Sequence, residues 1–165
     1  HSFPTRRSSD LMAALYREHG YMRAKVVFEG AETSHGRGAA RFVIEEGPRA
    51  RYREVTLAGA PQGFSSGAAK TLVRGNVLST AAISNVEREV LRELGRVGYL
   101  FATLKSSFTL DESGTQADVK FEVEPGPQAR VRAVITVGQV RTVEQVILAQ
   151  ATMKEGEPLD AESLY

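Results

Sequence analysis

Between residues 79 and 97 the apolar positions Ile83, Val86, Val90, Leu94 and Val97 recur at steps of three and four, the stripe of one amphipathic helix. The other face carries Glu87, Arg88, Glu89, Arg92, Glu93 and Arg96, read as solvated, with Glu89–Arg92 and Glu93–Arg96 paired at i,i+3. Ser79 or Thr80 caps the start and Gly98 ends the helix. The pattern then changes to a period of two. Ala102, Leu104, Ser106, Phe108 and Leu110 share one side of a strand, and Asp111-Glu112-Ser113-Gly114 is a turn. Ala117, Val119, Phe121 and Val123 then alternate with Asp118, Lys120, Glu122 and Glu124, a strand with one wet face. Upstream, Tyr52, Val55 and Leu57 form a strand closed by Gly59-Ala60-Pro61. Ser65 or Ser66 caps a short helix through about Arg74, with Ala68, Ala69, Leu72 and Val73 on its apolar side, and Gly75-Asn76 stops it. The predicted order is strand–helix–helix–strand–strand.

The same punctuation recurs on both sides of this unit. Gly20-Tyr21 is answered by Gly98-Tyr99 after 78 residues, Glu46-Gly47-Pro48 by Pro125-Gly126-Pro127 after 79, and Gly75-Asn76-Val77-Leu78-Ser79 by Gly156-Glu157-Pro158-Leu159-Asp160 after 81. A fixed period of this length predicts an array of like domains, one whole unit between two part-units. The earlier part-unit reads as a helix with Leu11, Leu15 and Tyr16, a strand with Ala24, Val26 and Phe28, a polar turn over 29–38, and a strand with Ala40, Phe42 and Ile44. The later one reads as a strand over 131–137, then a helix capped by Thr142 with Gln145 and carrying Val143, Val146, Ile147 and Met153. Asp160 caps a further helix. At equal offset Val55 and Leu57 map to Val134 and Thr136, while Ile135 and Val137 have the opposite parity; a bulge or a covered second face would explain this.

Composition changes the picture little. With 42% hydrophobic and 25% charged residues, packed cores rather than disorder are expected. A net charge of +1 offers no field for nucleic acid or acidic membrane. The absence of cysteine excludes disulfides, thiol nucleophiles and thiolate metal sites. No apolar run approaches the roughly 18 residues that would span a bilayer as a helix. The segment His1 to Leu11 resembles the translation of a sequencing adapter and is expected to be foreign to the natural protein, which places the start of the chain inside a unit. Arg6-Arg7 lies in that segment with no apolar export region after it, so a twin-arginine signal is not read from it.

Candidate chemistry is sparse. His1, His19 and His35 form no metal-spaced cluster, and His19 sits at a helix end that favours a cation. Ser65-Ser66 and Ser106-Ser107 have no base beside them. Gly95-Arg96-Val97-Gly98 matches the GXXG loop of KH RNA-binding domains, but it leads from a helix into a strand rather than joining two helices. Tyr21, Phe42, Tyr99, Phe108 and Phe121 have the strand parity of core residues rather than of a stacking platform.

A unit of this order and length, with Gly-Tyr after its second helix and Glu-Gly-Pro after its last strand, resembles the POTRA domain, the repeat of the Omp85 family of outer-membrane assembly proteins. The resemblance rests on Gly20, Tyr21, Glu46, Gly47, Pro48, Gly59, Gly98, Tyr99, Gly126 and Pro127 and covers residues 12–165. Pro125 departs from the usual acidic residue, and Gly138-Gln139 from the usual Gly-Asn. The resemblance implies an α+β fold of tandem POTRA repeats (β-α-α-β-β), each a three-stranded mixed sheet with two helices on one face. It divides the chain into 12–48, 49–127 and 128–165. It implies a non-catalytic periplasmic segment of an outer-membrane protein assembly factor, without cofactor or metal, that binds unfolded outer-membrane protein precursors by strand addition. Accessory lipoproteins are further partners by the same resemblance, and a membrane β-barrel follows the repeats in that family. A secretion-transporter segment, or a scaffold for accessory lipoproteins, is the alternative. In the family the penultimate strand is the edge and the last is central. The implied peptide-binding edge is therefore Ala102, Thr103, Leu104, Lys105, Ser106, Ser107, Phe108, Thr109 and Leu110, with residues 22–28 its counterpart. Proline at Thr103 or Lys105 would block docking if those N–H groups point outward.

Because the flanking pieces hold only part of a unit each, amide protons of residues 20–44 and 142–165 should exchange faster than those of 55–123. Equal protection in hydrogen-exchange mass spectrometry would contradict that reading.

Overall fold

The computed structural model describes residues 6–34, 37–135, 137–138 and 153–164. Its elements are α1 (Arg6–Glu18), β1 (Lys25–Ser34), β2 (Arg37–Glu45), β3 (Arg51–Ala58), a 3₁₀ turn (Ala69–Thr71), α2 (Thr80–Arg96), β4 (Thr103–Leu110), β5 (Gln116–Glu124) and a second 3₁₀ turn (Ala161–Leu164). Strands β3, β5 and β4 form one sheet in that spatial order, β3 parallel and β4 antiparallel to the central β5.

The core of this sheet follows from the two periodicities. From β5, Ala117, Val119, Phe121 and Val123 are buried, and from α2, Ile83, Val86, Val90 and Leu94 meet them. Burial of each large side chain contributes about 1.5–3 kcal/mol. Ser79 caps α2, its Oγ accepting from the Ala82 N–H at 3.2 Å. The Tyr52 hydroxyl donates to the Ser79 carbonyl at 3.3 Å and accepts from the Ser79 N–H at 3.1 Å, pinning the helix start to β3. Val97, assigned to the helix stripe, is instead the C-cap and exposed, because the helix ends at Arg96. In β3 the register shifts between Tyr52 and Glu54, which lets Tyr52 and Val55 pack inward three residues apart.

Four other expectations are corrected. The short helix before α2 is one 3₁₀ turn, Ala69–Thr71, since only the Ala69 N–H reaches the Ser66 Oγ, at 3.1 Å, and Gly67 lies in its approach. Arg92 pairs with Glu89, but Arg96 reaches Glu162 at 2.8 Å rather than Glu93. Residues 29–34 and 37–38, read as part of a turn, extend the β1–β2 ladder, because backbone pairing continues whatever the side chains; its register shifts between Phe28 and Gly30. Residues 22–23 form a turn rather than strand, and Met22 packs on the core of the β3–β5 sheet.

Helix α1 packs on β1 and buries Ala13, while Leu11 and Leu15 are 65% and 54% exposed. The predicted core pair Phe28 and Phe42 has ring centroids 5.4 Å apart but is only half-buried, because a two-stranded sheet cannot enclose it. Residues 131–135 form no strand; beside the bridge between Arg130 and Pro158, Val131 donates to the Glu157 carbonyl and accepts from the Gly156 N–H, but β3 in the equivalent place is held by β5, and residues 131–135 have no such strand partner among the described residues. Val131 is buried at the position equivalent to Tyr52 and Ile135 is exposed. The helix expected from Thr142 lies outside the described residues, apart from Met153. Asp160 caps the final turn as expected, Oδ1 accepting from the Glu162 N–H at 2.9 Å.

The repeat is most explicit at two joints. In the first, the Ala50 N–H donates to the Gly20 carbonyl at 2.8 Å, the Leu78 N–H to the Ala50 carbonyl at 2.9 Å, and the Gly75 N–H to the Tyr52 carbonyl at 2.8 Å. In the second, Ala129 donates to Gly98 at 2.7 Å, Leu159 to Ala129 at 2.9 Å, and Gly156 to Val131 at 2.8 Å. Side chains match as well: Arg51 and Arg130 donate to the carbonyls of Gly75 and Gly156 at 2.7 and 2.8 Å. Arg49 and Gln128 reach back to the carbonyls of His19 and Val97, each at 2.9 Å. Both helix-ending glycines need their freedom: Gly20 and Gly98 have φ of +91° and +90°, and a Cβ would lie 2.6 Å from Val77 Cγ1 or 2.5 Å from the Ala129 carbonyl oxygen.

Gly98→Ala should therefore open the second joint. The left-handed conformation alone costs an alanine about 1–2 kcal/mol, before the clash. Amide exchange at Ala129 and Leu159 should accelerate while Val119 and Phe121 stay protected; unchanged exchange at Leu159 would contradict the clamp.

Candidate functional site

The edge position of β4 follows from chain order. β5 is taken up on one side by β3 and on the other by β4, which leaves the outer side of β4 without a strand among the described residues. Of the nine residues assigned to this edge from sequence, Thr103 to Leu110 form the strand. Ala102 lies before it, its N–H turned to the Tyr99 carbonyl at 3.3 Å.

Which backbone groups face outward is set by one contact. The Ser106 N–H donates to Glu87 Oε1 on α2 at 2.9 Å, away from β5. The β4–β5 register is unbroken from Thr103↔Glu124 to Leu110↔Ala117. Direction alternates along an antiparallel strand, so Leu104, Ser106 and Phe108 present their N–H groups outward, and Thr103, Lys105, Ser107 and Thr109 bond to β5. This corrects the expectation for proline at Thr103 or Lys105: there it would remove ladder bonds. Leu104 and Leu110 pack on the core, and Phe108, on the same side, is 38% exposed. The edge thus combines outward donors at Leu104 and Phe108, without a partner among the described residues, with an apolar flank.

Glu87 and Glu93, read from sequence as parts of a solvated face, both cap backbone donors. Glu93 Oε1 accepts from the Ala68 N–H at 3.1 Å, holding the 3₁₀ segment against α2. The available signal was position: each carboxylate borders the buried stripe, one residue past Val86 and one before Leu94. The GXXG segment is used in packing. A Cβ on Gly95 would lie 3.3 Å from Ala161 Cβ, and Gly98 forms the second joint. His19 uses its carbonyl to hold Arg49, and among the described residues no group of three or more His, Cys, Asp or Glu is placed to hold a metal.

The opposite face of the sheet is charged and wet. The Arg53 guanidinium donates to both carboxylate oxygens of Asp118, which holds that carboxyl below its ordinary pKa. The hydrogen bond from Lys120 does the same for Glu122. In the β4–β5 turn, Asp111 is lowered first by the Ser113 hydroxyl and then by the Gln116 N–H. Arg23, in the turn before β1, reaches this turn, donating to the carbonyls of Glu112 and Asp111 at 3.0 and 3.2 Å.

No protein-family model matches the chain, and no curated protein matches it. Among solved structures, POTRA domains 3–5 of BamA from Haemophilus influenzae align with a TM-score of 0.58 at 18% identity, over 96% of this chain and 65% of that one. BamA from Haemophilus ducreyi lacking POTRA domains 1–3 aligns with a TM-score of 0.50 at 16% identity, over 79% of this chain and 24% of that one. The chain therefore spans less than two thirds of either structure, and at these identities the likeness establishes the fold: this is a POTRA fold.

The depressed carboxyls fix a pH dependence. Each is ionised in the folded state at lower pH than when unfolded, so its stabilisation is fully present above the ordinary carboxylate range and is lost as pH falls from that range through the lowered folded-state value. The melting temperature should be level from about pH 7 to 5 and fall below about pH 4. Asp118→Asn should lower it at pH 7 and make the acid limb shallower; an acid limb unchanged by that substitution would contradict the assignment.

Proposed function

We propose that this chain is a periplasmic POTRA segment of an outer-membrane protein assembly factor, and that its β4 edge receives unfolded β-barrel precursors by strand addition. The observation that carries the reading is the outward N–H groups of Leu104 and Phe108 beside the exposed ring of Phe108. Backbone hydrogen bonds give affinity for any extended chain, and the apolar flank favours the alternating side chains of a barrel strand. The two-joint clamp supports the reading too, because it holds successive units at a repeated spacing. We take the units as 12–48, 49–127 and 128–165, the first two ending at Glu46-Gly47-Pro48 and Pro125-Gly126-Pro127. Anchoring to the outer membrane would come from a β-barrel beyond this sequence. Among the described residues no helix is long and apolar enough to cross a membrane. Accessory lipoproteins of the assembly machinery are the other partners in this reading.

The test is an NMR titration with an extended amphipathic peptide patterned on a barrel strand. Amides of β4 should shift, and Phe108→Pro should abolish the shifts while the protein stays folded, because that N–H is not part of the β4–β5 ladder. Ser107→Pro should destabilise the sheet instead. Spectra unchanged at every peptide concentration would favour a scaffold that docks accessory lipoproteins and binds no client here.

A further inference from the structure

Helix α2 supplies a carboxylate to the edge that a client would have to use. Glu87 Oε1 accepts from the Ser106 N–H at 2.9 Å, midway along β4 and between the free donors of Leu104 and Phe108. An added strand would place its own carbonyl oxygen where that carboxylate oxygen sits. We propose that Glu87 is a displaceable cap on the β4 edge, which competes with the client's backbone and selects client strands carrying Lys or Arg opposite Ser106. This inference rests on the strand-addition reading of β4 and adds a gate and a preference to it.

The physical argument has two parts. A bare edge donor invites any strand, including the same edge of another copy of this chain, and proteins blunt such edges with charge. Glu87 does so with an internal acceptor, so the unoccupied edge hides its central donor and shows a negative charge. When a client arrives, the carboxylate must release Ser106 and keep its charge at the rim. The basic residues that follow it on α2 are engaged elsewhere: Arg88 donates to Asn85, and Arg92 pairs with Glu89. A basic residue on the client pairs with the displaced carboxylate, and an acidic residue is repelled by it.

Two substitutions separate the parts. Glu87→Gln retains an oxygen acceptor for the Ser106 N–H and removes the charge. Glu87→Ala removes both. The 165-residue chain is titrated with two barrel-strand peptides that differ only in a central Lys or Glu. The unsubstituted protein should favour the Lys peptide by about twofold to fivefold, the scale of an exposed ion pair. Glu87→Gln should lose that preference. Glu87→Ala should bind the Glu peptide about threefold to tenfold tighter than the unsubstituted protein does, the scale of one hydrogen bond made available. Without peptide, the Ser106 amide should exchange faster in Glu87→Ala while Ser107, in the ladder, stays protected.

Equal affinities across the three proteins, with binding retained, would leave strand addition standing and overturn the cap. Unchanged Ser106 exchange in Glu87→Ala would overturn it independently of any peptide. Silence from every protein with both peptides, the uncapped one included, would remove both the cap and the strand-addition reading.

Discussion

The peptide group at Ala50 holds together three parts of the chain that are distant in sequence. Its N–H takes the carbonyl of Gly20 at the end of one helix, and its carbonyl takes the N–H of Leu78 just ahead of the next. Ala50 is fully buried, so these bonds are sheltered from water. Everything downstream leans on this point. β3 starts from it, α2 is aimed by the Ser79 cap one residue after Leu78, and α2 in turn fixes both the core and the carboxylate that reaches β4. Ala129 repeats the arrangement with Gly98 and Leu159.

A clamp built from backbone groups constrains sequence lightly. It needs a glycine where a Cβ would collide, and small residues where chains cross. That accounts for the glycines, and for Ala50 and Ala129, recurring at equivalent places in the two joints. It accounts as well for Gly95-Arg96-Val97-Gly98, whose two glycines give room to Ala161 and Ala129. A motif that matches an RNA-binding loop by spelling has here a packing cause in full.

In the proposed reading, the β4 edge joins function to that frame. A central strand must be buried on both edges, and β5 is, which forces β4 outward. An open edge is useful for receiving an extended chain and hazardous for the same reason. The contact between Glu87 and Ser106 sits at that conflict, since it satisfies an outward donor in the middle of the edge.

The amphipathic stripe of α2, the alternation of β5, the repeat period and the order of the elements were legible in the residues, because each follows from local periodicity or from glycine at a helix end; which strand is edge and which is central came only from the family resemblance. Three things were decided only by the assembled structure. Burial of a predicted core face depends on what covers it: Phe121 is sealed by α2, whereas Phe42 and Leu15, equally apolar, stay partly open over a two-stranded sheet. The partner of a charged side chain depends on what the fold brings within reach, so Arg96 left Glu93 for Glu162, and Glu93 and Glu87 turned to backbone donors. The direction of each edge N–H depends on register, which a period of two leaves open by one residue; only the pairing of β4 with β5 assigned Ser106 to the outside and Lys105 to the ladder.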